Sequence, residues 1–216
     1  MRRLDLKDGA WLELEEDWIS PEEATALLQA LIDEEPWEQR PIMVFGREIM
    51  QPRLISWAGE LPYRYSGQTL PPRTPSPRLA GLLEQLSARC GVTFNHVLLN
   101  RYRDGSDHMS RHSDDEPELG RNPVIAAISL GAPRRFHLEH KRKRSLKRHV
   151  RLTHGSLMVM GGSMQHTWRH AVPKMASITE ERINLTLRCL RGPPGWRQAG
   201  EPRPPREERE PTEAIP

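Results

Sequence analysis

His112-Ser113-Asp114 sets an imidazole and a carboxylate two positions apart. In extended chain both project to the same side, where they can occupy neighbouring positions on one metal ion. Two histidines and one carboxylate leave three coordination positions open, the facial arrangement used by non-haem iron(II) oxygenases. The pair alone is weak, since a motif this short recurs on many surfaces by chance. A third ligand has to come from elsewhere in the chain. His137, His140 and His149 lie in or beside a cationic stretch that opposes a dication. His154, His166 and His170 remain. His154 opens HGSLMVM, where a turn histidine more often satisfies backbone groups. His166 and His170 are four apart, but GGSMQHTWRH reads as a glycine-led turn. Spacing does not choose among the three.

A second chemical feature is RINLTLR, residues 182–188. Ile183, Leu185 and Leu187 point one way, and Arg182, Asn184, Thr186 and Arg188 the other. Taken alone, this is the pattern of an edge strand with a wet face. The two arginines stand roughly 20 Å apart along such a strand, and their forked donors match carboxylates bidentately. They can converge on a small dicarboxylate lying between them. Asn100 and Tyr102, within FNHVLLNRY, share a face and add an amide and a phenol.

These residues need elements to hold them. Ser20-Pro21-Glu22-Glu23 supplies a cap, a first-turn proline and first-turn acids ahead of Leu27, Leu28, Leu31 and Ile32, which predicts a helix to about Glu35. A second helix is expected from about Ser76 to Cys90, with Leu79, Leu82, Leu83 and Leu86 at helical spacing and Gly91 to close it. Between them, Ile42 to Tyr65 holds short β-like pieces interrupted by Gly46, Pro52, Gly59 and Pro62, which suggests hairpins. After Gly91 come FNHVLLNRY, VIAAISL, RRFHLEH, SLMVM and RINLTLRCL, short branched or aromatic runs with no helix alternating between them. The expected class is mainly β (α+β), a sandwich or jelly roll.

The 216 residues suit one domain plus a tail. From Arg191 the chain is rich in proline and charge with little to bury, so 191–216 reads as a disordered tail. Only Cys90 and Cys189 are present, too few for a disulfide scaffold, and no secretory or membrane-spanning apolar run is found. The expectation is an intracellular protein, cytoplasmic if bacterial and nuclear if eukaryotic. No feature of the sequence advertises an interface, which makes a monomer the default. The formal charge of +3 averages a basic run, KRKRSLKRHVR from Lys141, against an acidic, proline-rich end.

Together these pieces resemble the AlkB family of iron(II)- and 2-oxoglutarate-dependent dioxygenases. The resemblance rests on NRYRDGSDHMSRHSDDE, HGSLMVMGGSMQHTWRHAVP and RINLTLR, and covers most of residues 92–190. VFG, QPR and YRYSG in the N-terminal part resemble the branch that repairs duplex DNA. It implies a double-stranded β-helix at 92–190, with residues 1–91 forming helices and hairpins of a nucleotide-recognition lid. It also implies iron(II) held by His112, Asp114 and His170, with 2-oxoglutarate and O2 as cosubstrates and ascorbate as the reductant in vitro. Arg182 would take the distal carboxylate of 2-oxoglutarate, assisted by Asn100, Tyr102 and Asn184. Arg188 would steady the iron-proximal carboxylate and Asp114.

The implied reaction is removal of alkyl groups from bases such as 1-methyladenine and 3-methylcytosine, with succinate and formaldehyde released. A target atom inside the base stack must be flipped out or already unpaired. Val44-Phe45-Gly46 resembles an apolar wedge that fills the gap left behind. Tyr63 and Tyr65 are candidates to stack on the flipped base, and Asp115 and Glu116 to reach its edge. Lys141, Arg142, Lys143 and Arg144 are candidates for backbone phosphates, with Arg53 and Arg101 as weaker ones. The expected partner is double-stranded DNA, with single-stranded DNA and RNA as alternatives. The competing readings are an AlkB-like oxygenase acting on RNA or protein, and a non-catalytic nucleic-acid-binding jelly roll.

Overall fold

The computed structural model describes residues 1–44, 46–65 and 67–192. Both expected helices form where the caps put them. Ser20 Oγ accepts the Glu23 N–H at the start of α1 (Pro21–Glu34), and Ser76 Oγ accepts the Leu79 N–H at the start of α2 (Pro77–Cys90). Gly91 closes α2 with φ of 63°, a left-handed conformation that glycine adopts without a Cβ clash.

The strands are β1 (Arg2–Asp5), β2 (Ala10–Glu15), β3 (Pro41–Val44), β4 (Arg47–Met50), β5 (Leu54–Gly59), β6 (Tyr63–Tyr65), β7 (Gln68–Leu70) and β8 (His96–Tyr102). They continue with β9 (Met109–His112), β10 (Ile125–Gly131), β11 (Arg134–His140), β12 (Lys147–Leu152), β13 (Ser156–Gly162), β14 (Trp168–Val172) and β15 (Arg182–Arg188). A seven-stranded sheet runs β1-β2-β13-β10-β15-β8-β5, and a four-stranded sheet runs β12-β11-β14-β9. Among the described residues, every strand pairing in both sheets is antiparallel. This is the jelly-roll architecture expected from the run of short strands.

Alternation along the strands builds two cores. Ala126 and Ile128 of β10 face the helices, joining Leu99, Leu157, Ile183, Leu185 and Leu187 against Ala24, Leu31, Leu79 and Leu86. Ile125 and Ala127 face the other sheet, packing with Met158 and Met160 against Phe136, Leu138, Leu152, Trp168 and Val172. Helices, large sheet and small sheet thus form three layers, with the functional side chains between the sheets.

Several elements differ from expectation. β15 is not an edge strand: it is hydrogen-bonded to β10 on one side and β8 on the other, with its apolar side chains packed towards the helices. β1 and β2 are not among the expected strands, although Leu12-Glu13-Leu14-Glu15 alternates with period two, and β2 pairs along β13 from Ala10↔Gly162 to Glu15↔Leu157. β1, β2 and β5, all from the first 91 residues, belong to the same sheet as the later strands. The basic run is a loop only in part, since Lys147–Leu152 is β12, paired along β11. GGSMQHTWRH is not one turn. It contains the end of β13, a single helical turn α3 (Met164–Thr167) and the start of β14. Residues 41–50 form an expected hairpin, whereas 54–59 pairs with β8 and a second hairpin, 63–70, runs beyond the expected stretch. Phe45 and residues 193–216, which carry the wedge and most of the expected tail, lie outside the described residues. No helix among the described residues is long and apolar enough to cross a membrane.

Candidate metal centre

β9 and β14 pair so that His112 stands directly across from His170. Their ring centroids are 4.2 Å apart at 67°. Asp114 follows two residues after His112 and turns its carboxylate between them, with Oδ1 3.9 Å from His112 Nε2 and Oδ2 3.8 Å from His170 Nε2. One donor atom from each of the three lies within 4.8 Å of the others. His112 Nδ1 stands 2.9 Å from the Ser110 carbonyl. Only a donor can face a carbonyl, so that nitrogen carries the proton and Nε2 presents its lone pair. Phe136 packs on the His170 ring at 5.1 Å.

The charge states suit a metal. Burial pushes His170 down to about 3, with the neighbouring imidazole of His112 adding to it, and burial lowers His112 as well. Both rings are therefore neutral, and available as ligands, at physiological pH. Burial alone would raise Asp114, but the Arg188 guanidinium and the two imidazoles hold it well below the usual carboxylate range. Arg188 Nη2 donates to Asp114 Oδ1 at 2.9 Å. The other histidines are occupied elsewhere. His166 is exposed and its Nε2 accepts the Asn122 N–H at 3.2 Å, while His154 Nδ1 accepts the Gly131 N–H at 2.8 Å. His140 pairs with Asp8, and His137 stacks loosely with His149 across β11 and β12.

Behind the triad lies an inner chamber lined by Asn100, Tyr102, Asn184, Thr186 and Arg188, and on its apolar side by Ala127, Phe136, Met158 and Val172. Arg182 stands at the Tyr102 end of this wall, its guanidinium 5.1 Å from the Tyr102 ring. Its Nη2 donates to Ser129 Oγ and Asn184 Oδ1, both at 2.9 Å, while Nε and Nη1 are buried without a partner among the described residues. Burial lowers its pKa to about 10, so it stays cationic at neutral pH. Nε and Nη1 of Arg188 are likewise buried and unpartnered. Buried cationic donors without acceptors are costly. Two such groups at the two ends of β15 fit a dicarboxylate, and the neutral imidazoles with an ionised carboxylate fit a dication, so the residues present suit iron(II) and 2-oxoglutarate.

The family model of the 2OG-Fe(II) oxygenase superfamily matches residues 12–188. The chain belongs to that superfamily. Within it, the AlkB homologues are close relatives. Alpha-ketoglutarate-dependent dioxygenase alkB homolog 3 of Homo sapiens is 39% identical over 182 residues, covering 80% of this chain and 64% of the relative. DNA oxidative demethylase ALKBH2 of Homo sapiens is 40% identical over 158 residues, 69% of this chain and 60% of the relative. The Arabidopsis thaliana protein of that name is 33% identical over 223 residues, 88% of this chain and 69% of the relative. The chain thus spans just under two thirds of the length of the human relatives it matches. The solved structure of OsALKBH1 shares the fold, with a TM-score of 0.60 at 14% identity over 87% of this chain and 99% of that one.

In this member of the superfamily a second cavity of about 480 Å³ opens outward from the metal ligands, lined by Ile42, Ile49, Met50, Arg53, Tyr65 and Glu116. Tyr65 and Glu116, two of the candidate substrate residues, thus line this cavity. Glu116 Oε2 is buried without a partner among the described residues, and burial, reinforced by the Asp114 charge, raises this carboxyl to about 7. Tyr63 cannot stack on a base. Its ring is buried against His96 at 4.8 Å and under Arg188 at 5.2 Å, leaving only a buried, unpartnered hydroxyl. Asp115 lines neither cavity and pairs with Lys141 at 3.0 Å.

The weaker phosphate candidates are engaged within the protein. Arg53 is 5% exposed, and its guanidinium donates to Asn100 Oδ1 at 2.8 Å and to the Tyr65 hydroxyl. It holds the site together from within. Arg101 faces the helices, on the opposite side of β8 from Tyr102, and pairs with Glu181 at 2.8 Å over Trp37. Arg142, Lys143 and Arg144 are exposed, as are Arg135 and Arg151, which stand opposite each other on the outer face of the small sheet. Sequence reasoning gave Arg53 a phosphate role in place of this internal one, and missed Gln165 and Ser129. For Arg134, buried under Tyr102, the alternation of RRFHLEH was a usable signal.

Proposed function

We propose that this protein is an oxidative dealkylase of nucleic-acid bases, acting on N-methylated bases of the 1-methyladenine and 3-methylcytosine type. The observation that carries the reading is the outer cavity. It opens directly on His112 and Asp114, is of ligand size, and has a carboxyl raised to about 7 and the Tyr65 phenol in its wall. A planar base extruded from its strand would fit there with its alkyl group towards the metal. Glu116 can accept from an exocyclic amino group when ionised, or donate to a ring nitrogen when protonated. The human and plant relatives that carry the name DNA oxidative demethylase support the same substrate class.

When bound, iron(II) with 2-oxoglutarate and O2 supplies an oxidation coupled to decarboxylation to succinate. The chain's own residues orient and insulate that chemistry. Arg182 would anchor the distal carboxylate, and Arg53 fixes Asn100 beside it. Arg188 keeps Asp114 ionised and aimed. Phe136, Met158 and Val172 exclude water from the inner chamber. An N-methyl group hydroxylated at its carbon is a hemiaminal, whose carbon–nitrogen bond breaks to release formaldehyde and restore the base.

Duplex DNA is the favoured form. The hairpin of β3 and β4 stands beside the cavity mouth with Ile49 and Met50 exposed, and Arg142, Lys143 and Arg144 are free to meet phosphates. An intracellular monomer goes with this reading. The test is incubation with a 3-methylcytosine oligonucleotide, single-stranded and in duplex, with iron(II), 2-oxoglutarate and ascorbate, followed by strand mass. Loss of one methyl group is expected, fastest in duplex. An unchanged mass beside an active control enzyme rejects the proposal, and turnover restricted to an RNA strand replaces its substrate.

A further inference from the structure

The strand pairing that aligns the two histidines does not reach the carboxylate. The ladder between β9 and β14 ends at His112↔His170, and Asp114 lies beyond it. What holds this segment is a set of ties to the turn just before His170. Ser113 Oγ donates to the Trp168 carbonyl at 2.9 Å. The Asp114 N–H donates to Gln165 Oε1 at 3.0 Å. Lys141 Nζ donates to Asp115 Oδ2 at 3.0 Å and to the Gln165 carbonyl at 2.8 Å. Three consecutive residues are each fastened to 165–168.

Gln165 is at the centre of these ties. It is 0% exposed, and it sits in α3 next to Met164, which packs in the core between the sheets. Its amide nitrogen reaches only the Met160 thioether, at 3.9 Å, a weak acceptor. The amide orientation follows from this. Flipped, it would turn its NH2 against the Asp114 N–H and leave that backbone donor buried with no acceptor.

We infer that Gln165 is a positioning residue for the metal centre. It fixes the backbone of Asp114 in register with His170, and Lys141 serves as the second tie of the same clamp rather than as a phosphate contact. The physical ground is that a metal site needs its ligands held to a fraction of an ångström, which the groups behind the ligands supply. Here one short turn controls the carboxylate through Gln165 and leads directly into the strand that carries the third ligand.

The test uses the full chain stripped of metal by chelation and titrated with Co(II), whose visible absorption reports ligand geometry. Gln165→Met keeps the unbranched length and removes the acceptor. Its Co(II) affinity should fall about tenfold or more, with an altered visible band. Met164→Leu, on the same turn but outside the clamp, should lower the melting temperature while leaving Co(II) affinity within about twofold of wild type. Lys141→Met, at a half-buried surface position, should weaken Co(II) by roughly threefold and keeps the clamp testable if Gln165→Met does not fold. Wild-type Co(II) affinity and spectrum in folded Gln165→Met overturn the inference. So does an equal loss in Met164→Leu, which would mean that any softening of α3 has the same effect. With Gln165→Met unfolded, an unchanged Lys141→Met overturns it as well.

Discussion

His96 gives this fold an acid sensitivity that one substitution should remove. The residue opens β8 directly across from Arg188, is 0% exposed, and has both ring nitrogens buried without a partner among the described residues. It fits only because Gly59 lies opposite, where a Cβ would come within 2.7 Å of the imidazole. Burial, with the Arg188 charge adding to it, lowers its pKa from 6.5 to about 3. The unfolded chain therefore takes up a proton near pH 6.5 that the folded chain refuses until about pH 3. Stability is intact above the upper value and is lost as pH falls through the window. At pH 5 the gap is about 1.5 pH units, worth about 2 kcal/mol at 1.36 kcal/mol per unit. For a domain of this size that is about 4–8 °C in melting temperature. The assay is thermal unfolding of chelator-treated wild type and His96→Phe at pH 7.5 and pH 5. The variant's packing change is common to both pH values and cancels in the difference, as do His112 and His170. The wild type should lose about 4–8 °C more on acidification than His96→Phe. Equal losses in the two proteins would refute the reasoning, since they would mean that His96 takes its proton alike folded and unfolded.

Three further outcomes are expected. Arg182→Met removes the two unpartnered donors, Nε and Nη1. At roughly 1.5 kcal/mol each or more, this should raise KM for 2-oxoglutarate by about 100-fold or more, measured as succinate formation, and an unchanged KM would place the cofactor elsewhere. His170→Ala should abolish metal-dependent 2-oxoglutarate turnover, whereas His166→Ala, at an exposed ring bonded only to the Asn122 N–H, should retain most of it; the reverse would reassign the third ligand. Replacing Arg142, Lys143 and Arg144 by alanine should flatten the salt dependence of duplex binding by roughly 2 to 3 in log–log slope, and an unaltered slope would move the phosphate contacts to another face, the Arg135 and Arg151 face being the first to examine.

Local patterns already specified a good deal of this protein. Ser20 and Ser76 with their following prolines set both helix starts, and Gly91 one helix end, because capping is decided within a turn or so of chain. The period-two pattern of 182–188 separated core from site residues on β15, because a strand turns alternate side chains to opposite faces whatever surrounds it. His112 and Asp114 were legible as a pair for the same reason. Which histidine completes them was not, on spacing alone, because His170 reaches His112 only through the pairing of β9 with β14, a contact between distant parts of the chain. Burial was equally invisible locally, and burial decides what a charge does. Arg53 and Arg101 look like surface cations in one dimension, yet one is locked to Asn100 and Tyr65 inside the site, and the other faces the helices. Gln165 carries no motif at all; its role exists only where a buried amide oxygen meets the N–H of Asp114. Residue type and short-range period follow from covalent geometry and can be read along the chain, whereas partner, exposure and charge state depend on which distant strands share a sheet.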